Sequence, residues 1–124
     1  MPRKVLIADD STSFRRMLES VLVDAGYEVA AAADGSLALS EAESFSPELV
    51  ITDLNMPNMN GIDLIKALRS RSGFRFIPIL VLTTEGQKES VQHGRDAGAT
   101  GWLVKPFQPE KLLAVVRKVL PGSL

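Results

Sequence analysis

The chain has 124 residues, 45% of them hydrophobic, with 14 Lys plus Arg against 15 Asp plus Glu. That length and apolar share support one domain whose core needs no disulfide or metal staple, and the balanced charge, with no basic run, argues against nucleic acid or an anionic membrane as a partner. With no Cys there are no disulfides, thiolate metal sites or Cys nucleophiles, and the first apolar stretch stops at Asp9, too soon for a signal peptide or a membrane span, so a cytoplasmic location is expected.

Val5-Leu6-Ile7-Ala8 is a continuous apolar run, the pattern of a strand covered on both faces, and polar residues from Asp9 to Ser13 break it. Phe14, Met17, Leu18, Val21 and Leu22 then fall at i, i+3, i+4, i+7 and i+8, a helical stripe that takes Met17 into the core; Ser11, Thr12 or Ser13 can cap its start and Gly26 can end it. Tyr27 to Ala32 reads as a weaker strand, Asp34-Gly35 as a turn, and Leu37, Ala38, Ala42 and Phe45 as a modest helix finished before Pro47. Leu49 to Thr52 is a third strand. Ile62, Leu64, Ile65 and Leu68 make a helix after Asn60-Gly61, with Asp63 near its start.

Ile79 to Leu82 supplies a fourth strand behind Pro78. Residues 87–97 read as a poorly buried helix, since Val91 is nearly its only large apolar residue. Trp102 to Val104 is a fifth strand, and Pro109 opens a last helix whose stripe, Leu112, Leu113, Val116, Val119 and Leu120, is ended by Pro121-Gly122. Five strands alternating with five helices predict an α/β fold, a doubly wound parallel sheet with helices on both faces. Residues 1–124 are expected to form a single domain with no output domain.

The polar residues gather at strand ends. Asp9-Asp10 ends the first strand, Asp53 the third, Thr83-Thr84 the fourth and Lys105 the fifth. In open parallel sheets, ligands bind outside the carboxyl ends of the strands, where the winding order reverses. If these four strands are neighbours at ~4.8 Å spacing, the groups span only about 15 Å. Three carboxylates that close repel one another, so one keeps a proton or a cation joins them. Oxygen donors with no His or Cys nearby in sequence suit a hard ion such as Mg2+, which takes one or two carboxylates, waters and a phosphate oxygen. Asp53 could then be a nucleophile toward phosphorus, with Lys105 and the Thr83 hydroxyl serving the phosphoryl oxygens.

Taken singly, each residue has a duller reading: Asp10 as a helix cap, Asp53 as a turn residue, Thr83 and Thr84 as ordinary strand-end residues, Lys105 as a solvated lysine. Their alignment on one sheet edge favours a site. His93, the lone histidine, lies on a polar helix and reads as solvated; Met56 and Met59 read as local packing.

The acid pair after the first strand, TDLNMPNMNG around Asp53, VLTTEG from Val81 to Gly86 and GWLVKPF from Gly101 to Phe107 together resemble the receiver domain of two-component response regulators, and within it the single-domain chemotaxis type. The resemblance covers essentially the whole chain and implies the flavodoxin-like strand order 2-1-3-4-5. It also implies that Asp53 accepts a phosphoryl group from a histidine kinase. Asp10 and Asp53 would bind Mg2+ by side chain, Asp9 directly or through water, and Asn55 by its backbone carbonyl. Thr83 would be the hydroxyl that follows the phosphate, with Thr84 beside it, and Lys105 would pair with the phosphate ahead of a cis Lys105-Pro106 bond. Asn55 and Glu85, two residues beyond Asp53 and Thr83, would tune self-dephosphorylation. Trp102 departs from the pattern, standing where the family usually has Tyr or Phe as its swinging aromatic.

The resemblance thus implies a phosphorylation-controlled switch, monomeric, that catalyses only its own phosphorylation and dephosphorylation. Thr83 and Trp102 would relay the change to the surface of the fourth helix, fifth strand and fifth helix, with chemotaxis and a flagellar motor switch as the expected setting and target. A phosphate sink and a phosphorelay intermediate are the alternatives. Ranked lower is an aspartyl-phosphate phosphatase of the haloacid-dehalogenase type, which carries Asp-x-Asp after the first strand where this chain has an adjacent pair. A flavodoxin-like cofactor site at Ser11-Thr12-Ser13 is opposed by the charges of Asp9-Asp10.

Overall fold

The five apolar runs form five parallel strands, β1 (Lys4–Ala8), β2 (Glu28–Ala32), β3 (Leu49–Thr52), β4 (Ile79–Thr83) and β5 (Gly101–Val104), in a computed structural model that describes residues 2–120. Their order is β2-β1-β3-β4-β5, as the resemblance implies. Between and after them lie α1 (Thr12–Asp24), α2 (Gly35–Phe45), α3 (Gly61–Arg69), α4 (Lys88–Ala97) and α5 (Pro109–Val119), with a short 3-10 turn at Ser72–Phe74 that the sequence pattern does not announce. The stop expected at Pro121-Gly122 lies outside the described residues.

Strand alternation divides the core in two. Val5, Ile7, Leu49, Ile51, Leu80 and Leu82 pack with Leu18 and Leu22 of α1 and Leu112 and Val116 of α5. Leu6, Ala8, Val50, Ile79 and Val81 face the other way, onto Ala38 and Ala42 of α2 and Leu64, Ile65 and Leu68 of α3. Every residue of the central strands β3 and β4 is buried, which is why they read as unbroken apolar runs.

One expectation about helix faces is corrected. Met17 is 49% exposed and is not core; in α2, Leu37 is likewise 55% exposed. A stripe at helical spacing is wider than the face that meets the sheet: in α1 the contact centres on Leu18 and Leu22, which leaves Met17 on the solvent flank, and in α2 it centres on the small Ala38 and Ala42. The weak helix behaves as its composition predicts, since Gly94 is the only buried residue of α4. Its C-terminal end is held by Arg69, whose guanidinium donates to the carbonyls of Gly98 (2.8 and 3.0 Å), Ile77 (2.6 Å) and Phe74 (3.0 Å). Met56 and Met59 are half-buried against the core, in keeping with local packing.

Candidate functional site

At the carboxyl edge of the sheet the ladder runs one residue past each strand. The Asp9 N–H donates to Ala32 O (3.1 Å), the Asp53 N–H to Ala8 O (2.9 Å) and the Lys105 N–H to Thr83 O (2.8 Å). These bonds fix the backbone from which the three side chains leave. Register sets their level: Ala8 pairs with Thr52, so Asp9 and Asp53 follow side by side on neighbouring strands, and Thr83 pairs with Val104, so Lys105 follows on the next.

The side chains converge. Lys105 Nζ lies 2.7 Å from Asp9 Oδ2 and 3.0 Å from Asp53 Oδ2, bridging the two acids. The remaining oxygens accept backbone N–H groups, Asp9 Oδ1 from Ser11 (2.9 Å) and Asp53 Oδ1 from Leu54 (2.7 Å). Asp9 is 2% exposed, whereas Asp10 is open to solvent. Ser11 rather than Asp10 caps α1, accepting the Phe14 N–H, so the Asp10 carboxylate is not spent on capping. One carboxylate oxygen from each of Asp9, Asp10 and Asp53 lies within 4.8 Å of the others. Against one ammonium, three carboxylates leave two uncompensated negative charges, and an all-oxygen donor set of that charge fits a hard divalent cation.

Burial pulls the Lys105 pKa down, but hydrogen bonds to Asp9 and Asp53, with the charges of both, outweigh it, and the net shift is upward from 10.5. The ammonium also lies 3.9 Å from the centre of the Phe14 ring, against which Phe107 packs edge-on at 5.7 Å. Lys105-Pro106 is cis. A solvated lysine is therefore not what the fold makes of Lys105.

Thr83 is buried at the end of β4, with its Oγ1 3.4 Å from the Glu85 N–H, while Thr84 is exposed. Glu85 is half-buried, and its carbonyl accepts the Trp102 indole N–H at 2.8 Å. The Trp102 ring lies along α4 over Gly94, where a Cβ would sit 2.5 Å from Cζ3. Asn55 is exposed in the loop after Leu54. His93 is exposed on α4, where it lines a cleft of about 140 Å3 with Leu54, Asn55 and Asn60 of the loop that follows Asp53.

The sequence reading missed several groups. In the sequence pattern Phe14 is one member of a helical stripe, yet its ring lies under the Lys105 ammonium. Arg15 donates to the Asp9 carbonyl at 2.7 Å. Gly61 lets its backbone press on Asp53, since a Cβ there would lie 2.1 Å from the Asp53 carbonyl oxygen. Of these only Gly61 carries a local signal, a glycine directly behind a helix cap.

Comparison with known proteins places this geometry. The model of the response regulator receiver domain family matches residues 5–117. The chain is 42% identical over 119 residues to the chemotaxis protein CheY1 of Helicobacter pylori, covering 94% of this chain and 96% of that one. It is 40% identical over 117 residues to the DNA-binding response regulator MtrA of Mycolicibacterium smegmatis, covering 94% of this chain and 50% of that one, so the chain spans about half the length of the MtrA relatives it matches. A solved structure of the chemotaxis protein CheY4 of Vibrio cholerae superposes with a TM-score of 0.92 at 50% identity, covering 96% of this chain and 99% of that one. From its first buried strand to the last helix that covers it, the chain belongs to the response regulator receiver domain family.

Proposed function

We propose that Asp53 is the phosphoacceptor of a two-component signalling switch, and the observation that carries the reading is its setting: one oxygen held by a backbone N–H, the other by Lys105, beside two further carboxylates. A carboxylate oxygen of Asp53 attacks the phosphorus of a phosphohistidine on a histidine kinase; the P–N bond breaks and the imidazole leaves with its electron pair. Asp9, Asp10 and Asp53, with the Asn55 carbonyl, would hold Mg2+, which when bound offsets the negative charge of the acids and the incoming phosphoryl oxygens. Lys105, released from its bridge to the acids, pairs with a phosphoryl oxygen, and the Thr83 hydroxyl donates to another. Asn55 and Glu85 flank the path of hydrolytic water and tune the lifetime of the acyl phosphate.

Movement of Thr83 reaches Trp102 through the Glu85 carbonyl that the indole holds, and so the face formed by α4, β5 and α5, with Thr84 in the moving loop. The protein acts on itself and turns over no external substrate. For its setting we favour a monomeric, cytoplasmic chemotaxis regulator that acts on a target such as the flagellar motor switch. Two relatives named for chemotaxis are matched along nearly their whole length, whereas MtrA is matched along half. Residues 1–124 would then act as one receiver domain, with a phosphate sink or relay role distinguished by its partner.

The test is intact-mass analysis of wild type and Asp53→Asn after incubation with acetyl phosphate and Mg2+. A single phosphoryl adduct, confined to wild type and decaying with time, is expected. An adduct retained in Asp53→Asn, or none in wild type while Mg2+ binds, overturns the assignment.

A further inference from the structure

Asp34 belongs to none of the groups above, yet the residue is 5% exposed and both carboxylate oxygens are used. Oδ1 accepts the Leu37 N–H at 2.8 Å and so caps α2; Oδ2 accepts the side-chain amide N–H of Asn58 at 2.8 Å. A helix cap needs only one oxygen, and Ser or Thr supplies it as well. The second oxygen therefore has another use.

That use is visible in the loop between β3 and α3. Its ends are pinned together: the Gly61 N–H donates to Leu54 O at 2.8 Å, and the Gly61 backbone abuts the Asp53 carbonyl. Residues 55–60 are left as an excursion, and its middle is held from the start of α2. Besides the Asp34–Asn58 bond, the Gly35 N–H donates to Met59 O at 3.0 Å, an approach that only glycine permits, since a Cβ on Gly35 would lie 2.4 Å from that oxygen. Asn58 itself sits at a φ of 67°, a left-handed conformation that Asn adopts more readily than other residues with a side chain, and it turns the amide toward Asp34.

We propose that Asp34 is a positioning residue for loop 55–60, and through it for the Asn55 carbonyl beside Asp53. For its consequence for Mg2+ the inference rests on the metal-assisted reading above. Its charge is met by two N–H donors rather than by a cation, so the clamp does not compete with the site for Lys105.

Asp34→Ser separates the two uses, because Ser retains the cap and cannot reach Asn58. Asp34→Asn restores the reach, since its amide can donate to the Asn58 oxygen after that side chain flips. Amide hydrogen exchange in EDTA reads the loop, and calorimetry reads Mg2+ affinity. In Asp34→Ser and Asn58→Ala we expect the Gly35 and Met59 amides to exchange on the order of tenfold faster, and Mg2+ to bind about tenfold more weakly, the low end for an outer-shell partner. Asp34→Asn should recover most of both.

Unchanged exchange and affinity in Asp34→Ser would make Asp34 a cap only and overturn the inference, as would faster exchange with unaltered Mg2+ affinity. If wild type itself bound no Mg2+, the functional reading would fall. The exchange data would then decide the positioning claim alone, faster exchange upholding it and unchanged exchange overturning it.

Discussion

Replacing Lys105 with Met keeps the stem over the Phe14 ring and removes the charge that bridges Asp9 and Asp53. The bridge is largely shielded: the Lys105, Asp9 and Asp53 side chains are 12%, 3% and 12% exposed. Losing one partner of a fully buried ion pair costs about 3–5 kcal/mol, and an exposed pair is worth less than about 1 kcal/mol. With two charge-assisted bonds lost from a nearly buried position, about 3 kcal/mol at neutral pH without divalent cation is the reasoned cost. At roughly 2.1 cal/mol/K of unfolding entropy per residue, a chain of this size loses about 4 °C per kcal/mol, hence about 12 °C in Tm. Mg2+ should narrow that gap, because the acids freed of Lys105 bind the cation more tightly than in wild type, and each tenfold difference in Kd closes it by about 1.4 kcal/mol in excess Mg2+. The assay is thermal unfolding of both proteins in EDTA and in Mg2+. A Tm in EDTA within about 2 °C of wild type would refute the reasoning by showing that the bridge contributes little, the carboxylates being as well stabilised by solvation as by Lys105.

The pH dependence has two limbs. Lys105 has a raised pKa, so its stabilisation is fully present below 10.5 and is lost as pH rises through the higher folded value; the stability difference between wild type and Lys105→Met should hold from neutral pH and close only above 10.5. The Leu37 N–H, with the Asn58 amide, holds the Asp34 pKa down; its contribution is present above 3.8 and is lost as pH falls through the lower folded value, so acid unfolding of wild type and Asp34→Asn should converge only below 3.8. Gly94→Ala places a Cβ 2.5 Å from Trp102 Cζ3. The helix-propensity gain of about 1 kcal/mol is then outweighed by an overpacking cost of about 1–3 kcal/mol. The indole should leave α4, which Trp102 emission reports; unchanged emission with a raised Tm would show that α4 accommodates the methyl without displacing the ring, and would overturn the overpacking argument.

The strands were legible because both faces of a parallel sheet are covered, which forces apolar runs at β1, β3 and β4 whatever else the chain does. The three side chains that matter most were legible for a related reason. Asp9 and Asp53 each follow such a run directly, where a charge at the end of a buried strand stands out, and Lys105 directly follows the short apolar run of the edge strand β5. Helix α4 could be foreseen as shallow, since a segment with only Val91 as a large apolar residue has little to bury.

Helix faces were less legible. Periodicity marks a stripe, but which of its residues meets the sheet depends on how the helix is rolled against the strands, which is why Met17 is not core and Leu37 is open to solvent. The partners of the site were hidden for a different reason. Phe14 under the Lys105 ammonium, Gly94 under the Trp102 ring and Asp34 behind Asn58 are contacts between distant segments that no local pattern records. The amino-acid sequence by itself determined which residues end the strands, because burial and backbone pairing act within a few residues of one another. Which ring, glycine or carboxylate each of them meets is settled only by the tertiary packing, because the crossovers lay α1 on one face of the sheet and α2 and α4 on the other.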